Sequence, residues 1–226
     1  MPVAIITGAS RGLGLALATG LAGHGWQLVI DARDAQTLSG ARDRLGGDAL
    51  AVPGDITDPA HRAALRTAAD RLGGADLLVN NAGILGPSPQ PALAGYPLDV
   101  LRQVYEVNVL APLALTQLVL PGLRERCGAV VNVTSDAAVL PYPGWGGYGS
   151  AKAAVEQLSR VLAAEEPDVR IWAVDPGDLR TRMHQEAFPG EDITDRPLPE
   201  TVVPAFLKLL ANRPESGRIR LAEVAL

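Results

Sequence analysis

The sequence has very few of the residues that build disulfides and metal sites. Cys127 is the single cysteine among 226 residues, which excludes an internal disulfide framework. The three histidines are scattered along the chain and show no metal-ligand spacing. We therefore interpret His24, His61 and His184 as surface or helix-capping residues and predict no metal site.

Basic clusters and long apolar runs are also missing. The formal net charge is -5 and no run of lysine or arginine occurs, which argues against a nucleic-acid partner. The apolar stretches fall far short of the ~20 residues that cross a bilayer, so we expect no membrane span. The run VAIITG begins at residue 3, so we expect no targeting segment. Together these absences predict a cytoplasmic protein.

The chain contains alternating strand and helix patterns, and its length suits one α/β domain over residues 1–226. Short runs rich in β-branched residues predict strands at 3–7, 27–30, 49–52, 76–80, 129–134, 169–174 and 218–221. Longer patterns between them predict helices at about 12–23, 34–45, 58–72, 98–124, 148–166 and 200–212.

The predicted strands are apolar without strict alternation, which is typical of strands covered on both faces of a parallel sheet. Right-handed crossovers place helices on both of those faces. The pattern therefore predicts an α/β fold of the Rossmann type, a doubly wound parallel sheet of about seven strands in three α/β/α layers. Ligands of such folds bind beyond the carboxyl ends of the strands, so the residues that follow each strand are the candidates for function.

A glycine-rich segment, TGASRGLG at 7–14, follows the first predicted strand and leads into a helix. Its glycines permit a tight turn and let backbone N–H groups approach a pyrophosphate at the positive end of the helix. The spacing differs from the commoner GxGxxG fingerprint, and a tight connection alone would also use glycine. Because strand, turn and helix occur in the right order, we predict a phosphate-binding site.

The segment YGSAK at 148–152 places Tyr148 one helical turn before Lys152. Residues four apart share one face of a helix, so the phenol and the ammonium are predicted to lie side by side. A nearby cation favours the charged phenolate and lowers the pKa of a tyrosine, which suits a general acid or base. An exposed tyrosine near an unrelated lysine would give the same sequence pattern. The surrounding motifs must therefore distinguish a catalytic pair from a chance match.

TGxxxGxG near the N-terminus together with YxxxK resembles the short-chain dehydrogenase/reductase family over nearly the whole chain. Further motifs follow in that family's order: NNAG at 80–83, VYEVNVLAP at 104–112, Ser135 thirteen residues before the tyrosine, and DPGDLRT at 175–181. The resemblance implies an oxidoreductase that interconverts a ketone or aldehyde and its alcohol. It also implies a catalytic group of Asn108, Ser135, Tyr148 and Lys152.

Each catalytic assignment has a chemical role in that family. Tyr148 exchanges a proton with the substrate oxygen, and Ser135 hydrogen-bonds the same oxygen, although an isolated serine at a strand end more often bonds the backbone. Lys152 holds the nicotinamide ribose and lowers the tyrosine pKa. Pro112 cannot donate to the carbonyl of Asn108, so that carbonyl is free to hold a relay water; alternatively, the proline only divides a long helix.

The resemblance assigns cofactor binding to Gly8, Ser10, Arg11, Gly12, Leu13, Gly14, Arg33, Asp55, Ile56, Asn81, Ala82, Gly83, Tyr148, Lys152, Pro176, Gly177 and Thr181. Ala32 occupies the position of the acid that selects NAD, and the guanidinium groups of Arg11 and Arg33 suit a 2′-phosphate. We therefore predict NADP(H), with NAD(H) as the alternative if Asp31 is the selecting acid.

We predict a short substrate loop at 182–200, where the family builds its substrate lid, because this segment is rich in proline and charge and lacks a strong helical apolar stripe. It predicts a small or polar carbonyl substrate in a pocket that includes Asp136, Tyr142, Trp145 and Met183. Epimerisation, dehydration and a non-catalytic NADP(H)-binding regulator are the alternative functions, but the intact catalytic group favours carbonyl reduction. A homodimer through the helices at 98–124 and 148–166 is expected; the C-terminus lacks the glycine pair common in the family, which weakens the case for a homotetramer.

Overall fold

A computed structural model of the protein describes residues 1–46 and 48–225. Across these residues seven strands form one parallel sheet in the order β3-β2-β1-β4-β5-β6-β7. The strands are β1 Val3–Ile6, β2 Gln27–Ala32, β3 Leu50–Pro53, β4 Leu77–Asn80, β5 Ala129–Val133, β6 Arg170–Asp175 and β7 Gly217–Arg220. Each lies within one or two residues of its predicted position.

The α-helices of the described chain are α1 Gly12–Ala22, α2 Ala35–Arg44, α3 Pro59–Arg71, α4 Leu98–Tyr105, α5 Ala111–Glu125, α6 Gly146–Glu165, α7 Arg182–Ala187 and α8 Val203–Asn212. Local side chains fix several of their starts. The carboxylates of Asp34 and Asp58 accept the N–H groups of Thr37 and Ala60, each at 2.8 Å, and so cap α2 and α3.

Successive residues of β1 pack on opposite faces of the sheet. Ile6 belongs to a core with Leu17 and Phe206, on the side of α1 and α8. Ile5 belongs to a second core with Leu65 and with residues of α5. Because a strand alternates its side chains, an all-apolar strand requires a helix layer on each face. The structure thus confirms the predicted Rossmann-type, three-layer α/β/α fold.

The predicted helix at 98–124 is not continuous. A π-helical segment, Glu106–Leu110, separates α4 from α5. Pro112, at the start of α5, has no N–H to offer the carbonyl of Asn108, and a local widening of the helix follows from that loss. The helix is therefore distorted at Asn108, and the proton relay through its carbonyl stays a prediction.

The helical stretch Leu98–Glu125 is long and apolar enough to cross a membrane by length and composition alone. The expectation that no apolar stretch approaches that length is therefore too strict. Half of its apolar window is buried inside the fold, and Leu115 and Leu123 are fully buried in the core. A core helix of a globular protein passes the same test, so the stretch is weak evidence for a membrane span.

The segment 182–200 is more ordered than its composition indicates. Its first six residues form α7, and the Thr181 side chain accepts the N–H of His184 at 3.1 Å as the helix cap. An ion pair between Arg182 and Glu186, at 2.6 Å, joins successive turns. The interpretation of this segment as a loop is corrected for α7, because a cap and an i,i+4 pair replace the missing apolar stripe.

Candidate active site

A cavity of about 1100 Å³ opens at the carboxyl ends of the strands. It lies where the strand order reverses between β1 and β4, the position at which doubly wound folds bind ligands. Every residue predicted to bind the cofactor lines this cavity, together with Ser135. The glycine turn and the Tyr148–Lys152 pair, far apart in the sequence, therefore share one site.

The glycine turn has a backbone that other residues would not fit. Gly8 has a φ of +66°, in the left-handed region that favours glycine. A Cβ on Gly14 would lie 2.5 Å from the carbonyl oxygen of Gly8, so that the start of α1 is packed directly against the turn. This arrangement presents the N-terminus of α1 to the cavity and fits the phosphates of a dinucleotide.

Asn81 braces this turn from the loop after β4. Its Nδ2 donates to the carbonyls of Thr7 and Gly8, at 2.8 and 3.1 Å. In return, the Thr7 hydroxyl oxygen accepts the backbone N–H groups of Asn81 and Ala82, both at 3.0 Å. The contacts join the two loops on either side of the reversal point, so the Asn81 side chain supports the turn.

Asp31 and His61 form a buried pair beneath the turn. Asp31 accepts the Gly8 N–H at 2.6 Å through one carboxylate oxygen, and its other oxygen lies 3.0 Å from Nε2 of His61. Both side chains are buried, so the interpretation of His61 as a surface or capping residue is wrong. The pairing depends on α3 packing beside β2, which the sequence does not indicate. It commits both oxygens of Asp31 to contacts within the protein.

Two guanidinium groups remain available at the adenine end of the cavity. Arg11 and Arg33 are exposed at its lining, and within the described ranges neither forms a salt bridge. Asp55 lies nearby; hydrogen bonds from Thr57 chiefly lower its pKa, and the charge of Arg33 contributes. Ala32 offers no carboxylate at the end of β2, and the two guanidinium groups lie near the carboxylates of Asp34 and Asp55 without forming salt bridges to them among the described residues.

Tyr148 and Lys152 lie side by side, as their spacing predicts, and both are buried. The Lys152 ammonium is 5.4 Å from the centre of the Tyr148 ring and donates to the Val133 carbonyl at 2.8 Å. Burial lowers the pKa of Lys152 to about 8. Burial also raises the pKa of Tyr148, with further increases from the charges of Asp175 and Asp136.

The lowering of the Tyr148 pKa that the Tyr–Lys spacing predicts is therefore not found. Desolvation disfavours the phenolate, and two carboxylates act in the same direction. The phenol is consequently protonated at neutral pH. In this state Tyr148 is a proton donor, which is the role required for carbonyl reduction.

Replacing Lys152 with methionine is expected to remove a rise in the free energy of unfolding between about pH 8 and 10.5. The pKa of Lys152 is 10.5 in the unfolded chain and about 8 in the folded protein. In this window the unfolded chain binds more protons, so stability increases with pH. Urea unfolding at a series of pH values measures the difference. Lys208→Met, on α8, is the matched control, and an equal slope in both variants would contradict a buried charge at Lys152.

Ser135 lies two residues after the end of β5 and makes two side-chain hydrogen bonds. Its hydroxyl donates to the carboxylate of Asp136 at 2.9 Å and accepts the N–H of Ala137 at 3.2 Å. The Asp136 carboxylate also accepts the Tyr142 hydroxyl at 2.8 Å. Ser135 is thus fixed in orientation while it lines the same cavity as Tyr148.

Asn108 differs from the other predicted catalytic residues because it does not line the cavity. Its Nδ2 donates to the carbonyls of Ile84 and Val104, at 2.8 and 2.9 Å, and its Oδ1 accepts the Ile84 N–H at 3.3 Å. A Cβ on Gly83 would lie 2.6 Å from this Oδ1. The Asn108 side chain therefore locks the loop after β4 against the π-helical segment.

A charged network behind the site was not indicated by any motif. Arg218 of β7 bonds Glu156 of α6 at 2.9 Å and Asp175 of β6 at 2.8 Å. Glu156 also accepts the Thr134 hydroxyl at 2.9 Å, and Asp175 accepts the Gly177 N–H at 2.9 Å. The network ties β5, β6, β7 and α6 together directly behind Ser135 and Lys152.

Aromatic rings form the wall of the cavity beyond Tyr148. The Trp145 ring centre lies 6.0 Å from that of Tyr148, 6.3 Å from Tyr142 and 5.7 Å from Phe188. The predicted pocket residues Asp136, Tyr142, Trp145 and Met183 all line this part. Phe188 was missed, because its place on the wall depends on how the segment after α7 folds back.

His184, on α7, also lines the cavity and packs on Phe188 at 4.9 Å between ring centres. Its side chain is only 10% exposed, so its interpretation as a surface residue is wrong, whereas His24 is exposed near the end of α1 as expected. In the described ranges no group of three or more His, Cys, Asp or Glu side chains is arranged to hold a metal ion.

Comparison with known proteins agrees with this geometry. The family model described as short chain dehydrogenase matches residues 2–192. The serine 3-dehydrogenase of Rhizobium radiobacter is 36% identical over 183 residues, which cover 79% of this chain and 72% of that protein. The 2-(R)-hydroxypropyl-CoM dehydrogenase of Xanthobacter autotrophicus is 35% identical over 204 residues, which cover 87% and 82%.

Solved structures show the same likeness. An alcohol dehydrogenase from Thermococcus sibiricus, complexed with 5-hydroxy-NADP, superimposes with a TM-score of 0.85 at 28% identity, covering 97% of this chain and 95% of that one. A protein assigned as a short chain dehydrogenase from Pseudomonas syringae superimposes with a TM-score of 0.91 at 29% identity, covering 97% and 94%. With its glycine turn, Ser135, Tyr148 and Lys152 assembled on one cavity, the chain belongs to the short-chain dehydrogenase family of oxidoreductases.

Proposed function

We propose that the protein is an NADP(H)-dependent oxidoreductase that interconverts a small or polar ketone or aldehyde and its alcohol. The observation that carries this proposal is the convergence of Ser135, Tyr148 and Lys152 with the glycine turn on one cavity. Hydride transfer to or from a carbonyl carbon requires an acid–base group next to the site that binds the dinucleotide.

Each residue of the site has a separate role in the proposed reaction. A bound nicotinamide supplies or accepts the hydride. Tyr148 donates a proton to the carbonyl oxygen in reduction and takes it back in oxidation. Ser135 hydrogen-bonds that oxygen and orients it. Lys152, whose ammonium donates to the Val133 carbonyl, holds the ribose of the nicotinamide. Asn108 acts through Ile84, whose backbone it fixes.

The polar substrate class agrees with the relatives. The serine 3-dehydrogenase and the 2-(R)-hydroxypropyl-CoM dehydrogenase are named for polar hydroxy compounds. The wall around Tyr142 and Trp145 is partly open to solvent, and Tyr142 is 42% exposed. Such a wall suits a compound with polar groups better than a large apolar one. A scan of carbonyls and alcohols that follows NADPH absorbance tests the proposal, and no turnover across a broad panel would refute it.

Preference for NADP(H) follows from charge at the adenine end of the cavity. Arg11 and Arg33 face no carboxylate within salt-bridge distance among the described residues, whereas both oxygens of Asp31 are engaged by Gly8 and His61. A 2′-phosphate would pair with the two guanidinium groups. The Thermococcus sibiricus structure carries a cofactor of the same phosphorylated type.

Replacing Arg33 with alanine is expected to weaken NADPH binding by about 1.5 to 3 kcal/mol, the range for a hydrogen bond to a charged group. NADH lacks the 2′-phosphate, so its binding should change little. Fluorescence titration of both cofactors measures the two dissociation constants. Arg42→Ala, which removes an exposed arginine on α2 outside the cavity, is the control. Equal losses for NADPH and NADH in Arg33→Ala would contradict the phosphate contact.

We also propose that the protein is a homodimer or homotetramer, with the dimer packed through α5 and α6. Three apolar side chains on or beside these helices, Leu110, Leu158 and Val161, are 51%, 36% and 44% exposed. A second copy of the chain would cover this apolar surface, since contiguous exposed apolar groups mark association sites. Localisation in the cytoplasm remains part of the proposal.

A further inference from the structure

The carboxylate of Asp136 is the feature of the cavity that carbonyl reduction alone does not explain. It follows Ser135 directly and accepts two hydrogen bonds, one from the Ser135 hydroxyl and one from the Tyr142 hydroxyl. A carboxylate offers about four acceptor positions, so about half of its capacity is open. Within the described residues no basic side chain pairs with it at salt-bridge distance.

The arginines near this carboxylate pair with other acids. Arg218 bonds Asp175 and Glu156 on the far side of β5. Arg182 on α7 is paired with Glu186. The Lys152 ammonium bonds the neutral Val133 carbonyl and forms no salt bridge with Asp136 among the described residues. Asp178 lies 3.9 Å from both His184 and Arg196. Asp136 therefore presents a carboxylate without a basic partner directly beside Ser135.

The same carboxylate stands beside an aromatic wall. Tyr142, whose hydroxyl Asp136 holds, is 6.3 Å from Trp145, which in turn contacts Tyr148 and Phe188. The faces of tyrosine and tryptophan rings attract organic cations, and an ammonium group beside both a ring and a carboxylate gains from each. An anionic substrate group would meet an unpaired negative charge.

We propose that the substrate carries a protonated amine beside the reacting carbon, with Asp136 and the aromatic wall as its binding site. This inference rests on the proposed oxidoreductase function and names its substrate class. In oxidation of such an amino alcohol, Tyr148 in its phenolate form takes the hydroxyl proton, and the carbinol hydrogen passes as a hydride to the NADP⁺ of the proposed function. The product is an amino ketone, and the ammonium is unchanged. Burial chiefly raises the pKa of Tyr148, and the negative charge of Asp136 raises it further. A bound ammonium group would offset the contribution of Asp136.

Three matched alcohols at neutral pH test the proposal. 2-Amino-1-phenylethanol is the cation, 1-phenylpropan-1-ol is its neutral analogue of similar size, and mandelate is the anion. With the NADP⁺-loaded protein we expect kcat/KM for the amine to exceed that for the neutral alcohol by about 10- to 100-fold, the range for a charge-assisted hydrogen bond. Mandelate should be the poorest of the three.

Asp136→Asn keeps the acceptor oxygen for Ser135 and removes the charge. Any disturbance of Ser135 in this variant lowers activity on charged and uncharged alcohols alike. The measured quantity is therefore the ratio of kcat/KM for the amine to kcat/KM for the neutral alcohol, in which that shared loss cancels. We expect that ratio to fall by about tenfold or more. Asp43→Asn removes one negative charge on α2, outside the cavity, and should leave the ratio as it is.

Calorimetric titration of the amine into the same loaded protein gives a readout that needs no turnover. An unchanged ratio in Asp136→Asn, or a wild-type preference for mandelate or for the neutral alcohol, would overturn the amine site. If none of the three alcohols is oxidised, amine binding that is lost in Asp136→Asn upholds the amine site, and the broad panel of carbonyls and alcohols then decides the proposed function separately. If the amine does not bind, or if it binds equally well to Asp136→Asn, the amine site is overturned.

Discussion

Replacing Tyr148 with phenylalanine is expected to lower kcat for carbonyl reduction by about 10²- to 10⁴-fold, the usual contribution of a general acid. The phenol is buried and protonated, since burial raises its pKa, and no other hydroxyl on α6 lines the cavity among the described residues. Phenylalanine keeps the ring that packs against Trp145 and removes the proton. The measurement is NADPH consumption at saturating concentrations of a responsive carbonyl compound.

Binding experiments separate lost chemistry from a damaged site. NADPH should bind Tyr148→Phe with little change, because Lys152 keeps its bond to the Val133 carbonyl and the glycine turn lies at the other end of the cavity. Tyr105→Phe, on α4 and outside the cavity lining, removes a hydroxyl of the same kind and should keep full activity. A fully active Tyr148→Phe protein would exclude the phenol from the mechanism.

The strands and the cofactor turn could be predicted from the sequence because local chemistry determines them. Runs such as VAII at 3–6 and LLV at 77–79 place apolar side chains on both faces of the sheet, which is stable only if helices cover both faces. The glycines at 8 and 14 are required by a positive φ and by a close approach of backbone atoms. Such requirements can be recognised from a few consecutive residues of the sequence.

Contacts between distant elements could not be predicted in this way. His61 and Asp31 are thirty positions apart and meet only because α3 packs beside β2. Arg218 reaches Glu156 across 62 positions. The Tyr148 pKa was misjudged for the same reason: the spacing to Lys152 is local, but burial and the charges of Asp175 and Asp136 come from the assembled fold.

Replacing Arg218 with methionine is expected to lower the free energy of unfolding by about 3 to 5 kcal/mol, the cost of leaving a buried charge without its partner. The side chains of Glu156 and Asp175 are only 3% and 5% exposed, and Arg218 itself is 19% exposed. Both carboxylates would lose their strongest partner at once. Urea denaturation followed by circular dichroism gives the change in unfolding free energy.

Two further variants identify the cause of this loss. Arg160 pairs with the same Glu156 at 3.3 Å but is 54% exposed, so Arg160→Met should cost only about 0.2 to 1 kcal/mol. Adding Glu156→Gln and Asp175→Asn to Arg218→Met should recover much of the stability, because no uncompensated charge then stays buried. If the triple variant is no more stable than Arg218→Met alone, the loss arises from packing of the arginine side chain. Recovery would show that charge pairing behind Ser135 and Lys152 holds this part of the fold together.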